Sequence, residues 1–70
     1  MKWIKFDPEN PPSGVVLFRF EIEDGIMHLT GYFRWPSCVL YAAEFKFFTI
    51  TDMKKYNAHW IYPQDIGIPS

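Results

Sequence analysis

The sequence predicts an all-β domain built on a small antiparallel sheet of about five strands. The sheet is either curled into a barrel or folded as a half-open sandwich, with room for one short helical turn. Three observations carry this expectation. Alternating apolar and polar residues run from 15 to 34 around a central Asp24-Gly25. Two later stretches, 45–51 and 56–61, are rich in aromatic and β-branched residues, which suit a pleated surface. Proline and glycine punctuate the chain at short intervals, so strands are short and turns are many.

Taken in order, Trp3-Ile4-Lys5-Phe6 reads as a short first strand. Residues 7–14 hold three prolines and one glycine, and proline cannot donate to a ladder, so this piece is a loop or polyproline-like turn. The 15–34 ribbon is the central hairpin. Asp-Gly fills a two-residue type I′ turn, whose central positions both need a positive φ. That turn sets Glu23 opposite Ile26. One face then collects Ile22/Met27, Phe20/Leu29, Phe18/Gly31 and Val16/Phe33, apolar throughout. The other collects Glu21/His28, Arg19/Thr30, Leu17/Tyr32 and Val15/Arg34, polar toward the turn and greasier toward the base. Gly31 leaves either a gap for the Phe18 ring or a bulge that re-aims Tyr32.

Trp35-Pro36-Ser37-Cys38 ends the hairpin. Residues 39–44 admit a helical turn or a strand, and are read as an irregular stretch leading into the strand at 45–51. A turn follows at 51–55, where Thr51 or Asp52 could start a short helical piece. Residues 56–61 form the last strand. Residues 62–70, with two prolines and a glycine, are an extended tail laid on the body or frayed.

Seventy residues allow one domain, spanning 1–70, and no second core. Hydrophobic residues at 49% and charged residues at 21% are those of an ordinary globular chain, which argues against disorder. Aromatics at 20% are the outlier, and large buried rings offset a short chain. Seven basic against eight acidic side chains, a net charge of −1, give no general attraction to nucleic acid or acidic membranes. No apolar run approaches the roughly 20 residues that span a bilayer. The start lacks the apolar core of a signal peptide, so the chain is expected in the cytoplasm with its single Cys38 reduced.

Little in the sequence points to catalysis. His59, beside Trp60, is the most pointed candidate, and its plainer role is a strand-edge histidine bonded to backbone. His28 is expected opposite Glu21. The two histidines with Glu21 or Glu44 do not fall at a zinc-ligand spacing, and a lone Cys38 excludes both a disulfide and a thiolate zinc site. There is no phosphate-binding glycine loop. Glu21, Glu23 and Asp24 gather at a hairpin tip, where charge is solvated. A non-enzyme without cofactor or metal is therefore expected.

Binding is the better reading. Trp35, Tyr32, Arg34 and Leu17 lie at or beyond the base of the hairpin's second face, and Trp, Tyr and Arg dominate interface hot spots. Either a partner covers this patch or another part of the chain does. Homodimerisation through it is a further option for so short a chain. The alternative is a single-stranded nucleic-acid-binding β domain, against which Arg19, Lys46, Lys54 and Lys55 stand scattered among eight acids.

Two terminal patterns add context. Trp3-Ile4 is followed by Pro11-Pro12-Ser13-Gly14 and Val15-Val16-Leu17-Phe18, and Ala58-His59-Trp60-Ile61 by Pro63 and Pro69. In this order they resemble a small family of domains of unknown function found widely in bacteriophage and prophage genomes. Its members open with Trp-Ile, pass a Pro-x-x-Gly turn into a Val-Leu strand, and close with Thr-His-Trp and a proline-spaced tail. Here Ala58 stands where the family has threonine. The resemblance implies a phage context, a compact β fold and a partner that is a host or phage protein; it brings no catalytic residue. It adds His59 and Trp60 to the candidate binding set.

Overall fold

A computed structural model describes residues 2–42 and 46–66. Six strands form one antiparallel sheet in the order β1-β6-β2-β3-β4-β5. They are β1 (Ile4–Lys5), β2 (Val15–Ile22), β3 (Gly25–Arg34), β4 (Ser37–Tyr41), β5 (Lys46–Thr49) and β6 (His59–Ile61), with a helix α1 (Ile50–Lys55) and a closing 3-10 turn (Pro63–Ile66). The sheet is an open one with β1 and β5 at its edges, not a closed barrel.

The 15–34 hairpin is present with a corrected register. Phe20 faces Met27 and Ile22 faces Gly25, so Glu23 and Asp24 fill the turn in place of Asp24 and Gly25. Neither has the positive φ that a type I′ turn demands; Gly25 takes it instead, at 133°. Glycine as the fourth residue of a turn whose central residues keep negative φ is the ordinary preference. Because every cross-strand partner moves by two residues, and side chains alternate with period two, both faces keep their expected membership.

The first face is the core. Val16, Phe18 and Phe20 are fully buried with Cys38, Leu40 and Met53, and Phe6, Ala58 and Trp60 complete the cluster. Each such aromatic contributes about 1.5–3 kcal/mol by leaving water. Phe18 and Phe20 stack at 5.9 Å, and Phe6 meets Phe33 edge-on at 5.3 Å. The lid over this face is α1, with the buried Pro12 and the Tyr62 hydroxyl that accepts a bond from the Ser13 amide at 3.2 Å.

Gly31 faces both Val16 and Leu40. A Cβ there would collide with the Val39 carbonyl oxygen and meet Leu40 Cδ2 at 2.9 Å. The glycine therefore admits Leu40, not the Phe18 ring, and pairing runs through it on both sides with no bulge.

Residues 37–41 form a regular strand where an irregular stretch was expected. Trp35 and Pro36, joined by a cis peptide bond, are the two-residue turn that delivers it, since Arg34 pairs with Ser37. Residues 43–45, on which the end of that expected stretch and the start of the 45–51 strand fall, lie outside the described residues.

The helix begins earlier than expected. Thr49 is its N-cap: the Asp52 amide donates to Thr49 Oγ1, and the Thr49 amide donates to the Asp52 carboxylate. This reciprocal arrangement satisfies two orphan donors at once. At the far end Asn57 takes a left-handed φ of 48°. Its amide donates to the Lys54 carbonyl and that of Ala58 to the Met53 carbonyl, the paired closing bonds of a Schellman motif. That turn aims β6 back along β2, and shortens the expected 56–61 strand to three residues. Beyond it the tail is not extended but coils at 63–66; residues 67–70 lie outside the described set.

Candidate docking face

The second face of the sheet carries most of the residues the sequence marked, in two zones. At the base, Tyr32 and Arg34 of β3, Trp35 and Pro36 of the turn, Ser37 and Val39 of β4 and Phe47 of β5 enclose a shallow concavity of about 360 Å³. Trp35 is 69% exposed and Phe47 65%, the highest values among the large apolar side chains described. Tyr32 is half-buried against Tyr41, ring centres 6.0 Å apart. Arg34 is the one charged side chain lining the concavity among the described residues. Among the described residues no strand or tail segment is laid across Trp35 or Phe47 at the base of this face.

The other zone is covered in part by a residue the sequence reading did not assign there. The Trp3 ring lies 5.6 Å from the His28 ring, although β6 and β2 stand between β1 and β3. Trp3 must therefore lie over the second face. This accounts for Ile61, which is 2% exposed yet sits outside the core cluster. Leu17, its partner across β2 and β6, is half-buried under the same cover. Leu17 is thus a floor residue and not an exposed anchor.

The register also gathers side chains that are distant in sequence. Lys5 faces His59, His59 faces Arg19, and Arg19 faces His28. These four form one row across β1, β6, β2 and β3, about 14 Å from end to end at the usual strand spacing. His28 is opposite Arg19, not Glu21 as expected from the sequence. Arg19 Nη1 lies 3.9 Å from Glu21 Oε1, and the Asn57 side-chain amide donates to Glu21 Oε2 at 2.7 Å. His59 is half-buried and donates from Nδ1 to the Asn57 carbonyl at 2.8 Å, which fixes its tautomer and leaves Nε2 for the face. The backbone acceptor, the Asn57 carbonyl, belongs to the helix-closing turn.

Trp60 does not belong to this site. It faces Phe18 on the core side and is 6% exposed, with Tyr62 packed on it edge-on at 5.0 Å. Strand alternation separates the neighbours His59 and Trp60 onto opposite faces. Trp3 and Phe47 are the members that sequence reasoning missed. Phe47 could have been found from β5 being an edge strand; Trp3 has no local signal.

Catalytic features are sparse. Cys38 is fully buried, and burial pushes its thiol up to about 12, far from the thiolate that a nucleophile requires. No group of three or more His, Cys, Asp or Glu side chains converges as a metal site among the described residues. No helix among them is long and apolar enough to cross a membrane.

Comparison of the chain with protein-family models, with curated proteins and with solved structures finds no match in any of the three.

Proposed function

We propose that this chain is a small non-enzymatic accessory protein of the phage type its terminal patterns resemble. It docks on a protein partner, a host factor or a member of a defence complex, through the aromatic and arginine end of its second face. One observation carries the reading: Trp35 and Phe47, the two most exposed large apolar side chains described, wall the same concavity beside Arg34. Isolated exposed rings are ordinary, whereas two that converge on one hollow forfeit about 1.5–3 kcal/mol each until something covers them. Trp and Arg at the centre of such a patch are the usual anchors of an interface.

The test is affinity capture from host lysate with tagged protein. A partner held at both about 50 and 200 mM salt, and lost on Trp35→Ala with the amide spectrum unchanged, supports the reading. Equal capture by the variant contradicts it.

A second reading, binding of single-stranded nucleic acid, is favoured by the Lys5–His59–Arg19–His28 row, which sets Lys5 and Arg19 on one face with two imidazoles; Lys46, Lys54 and Lys55 are not part of it. Binding of oligothymidylate that collapses over the same salt range would favour it.

A further inference from the structure

We infer that the partner presents an extended acidic segment to this face, its apolar side chains in the concavity and its carboxylates on Arg34 and on Lys5 and Arg19 of the row. This rests on the docking reading above and adds the chemistry of the partner.

Charge segregation is the ground for it. The chain as a whole has a net charge of −1, yet its second face is cationic. Among the described residues Lys5, Arg19 and Arg34 lie there with two imidazoles, against one strand carboxylate, Glu21, near the tip end of β2; Glu23 is in the turn beyond it. Glu21 is already engaged by Asn57 and Arg19. Asp7 accepts bonds from residues 9 and 10 in the proline loop, and Asp52 caps α1. Between the row and Arg34 the described face is uncharged: Thr30, Leu17, Tyr32 and Val39. The pattern is cation, apolar middle, cation.

The spacing suits an extended chain. His28 and Arg34 are six residues apart on β3, about 20 Å. Six to eight residues of extended peptide span that distance at about 3.3 Å each, with alternate side chains directed at the face and those at the Arg34 end reaching the hollow. A second copy of this chain would set one cationic face against another. A nucleic acid strand would find few permanent cations, one of them, Arg19, shared with Glu21.

The probes are the peptide acetyl-Glu-Glu-Leu-Thr-Leu-Thr-Glu-Glu-amide, its counterpart with Lys for every Glu, and oligothymidylate, each titrated into nitrogen-15-labelled protein. The acidic peptide is expected to shift the Trp35 indole and the Val39, Phe47 and His28 amides. The Lys peptide should bind about tenfold more weakly, the loss of one charge-assisted contact. Lys5→Glu/Arg34→Glu, at exposed positions, should reverse that preference. Equal binding of both peptides, no shift with the acidic one, or tighter binding of oligothymidylate overturns the inference. So does self-association that shifts the same amides. If Trp35→Ala abolishes lysate capture but Lys5→Glu/Arg34→Glu leaves it intact, the docking function stands and the acidic assignment falls.

Discussion

Val39 and Phe47 face each other across β4 and β5, and Val39 is 9% exposed where Phe47 is 65% exposed. The contrast comes from topology. Val39 has a strand on either side, Tyr32 from β3 and Phe47 from β5, whereas Phe47 sits on the edge strand with no further strand beyond it among the described residues. An edge ring of this kind contributes little to folding and is available for contact.

That difference sets the first expectation. Phe47→Ala should change the unfolding free energy by less than about 1 kcal/mol, while Phe20→Ala should cost about 3–5 kcal/mol and unfold much of so small a chain. Urea denaturation compares the two. A loss at Phe47 as large as that at Phe20 would mean that its ring is part of a core.

Gly31→Ala tests the β3–β4 contact. The added methyl has backbone, the Val39 carbonyl, in its path, which cannot step aside as a side-chain tip can. Destabilisation of at least about 1–3 kcal/mol is expected, the usual range for overpacking. A neutral effect on the denaturation midpoint would contradict the close approach.

Cys38 gives a pH signature. Its thiol rises from an ordinary value of 9.0 to about 12 through burial. The unfolded chain loses this proton near the ordinary value and the folded chain keeps it, so the contribution to stability is full below pH 9 and fades as pH climbs toward 12. Wild type should therefore lose more stability than Cys38→Ala between those limits. A disulfide reagent at pH 8 should react at the rate of global opening and not at that of a free thiol. Prompt reaction in the native state would show that Cys38 is accessible.

The six-residue helix depends on its ends. Thr49→Ala removes the reciprocal cap and should cost about 1 kcal/mol. Asn57→Ala keeps the left-handed turn but loses both Asn's tolerance of it and the bond to Glu21, for a cost of about 1–2 kcal/mol. Hydrogen exchange at Met53 and Ala58 should accelerate in both variants. Unchanged protection would show that packing of Met53 holds the helix without its caps.

The parts of this fold legible in the sequence are those governed by period two. The core and second faces of the hairpin follow from alternation, and they survive a turn displaced by one residue because that moves every cross-strand partner by two and keeps each side chain on its side. Asp24-Gly25 misdirects the register because Glu23-Asp24-Gly25 also fits a turn with glycine in fourth place. The helix carries a readable signal in Thr49-Ile50-Thr51-Asp52, a capping box at i and i+3, masked by the aromatic run before it and by its own β-branched Ile50 and Thr51. The Lys5–His59–Arg19–His28 row and the placement of Trp3 over the second face were not legible. Lys5, Arg19, His28 and His59 meet only because α1 returns β6 to lie between β1 and β2, and no local pattern specifies that crossing. Trp60 was grouped with His59 because the two are neighbours in sequence, but adjacency along a strand means opposite faces, and Trp60 points into the core.

Hydroxyl-radical footprinting of the protein, free and bound to the partner captured from lysate, bears most directly on the docking face. Oxidation of Trp35, Tyr32 and Phe47 should be readily detected in the free protein and suppressed together in the complex, while Phe6 and Tyr62 change little. Undiminished oxidation of Trp35 in the complex, with protection on the Phe6 side instead, would contradict the account.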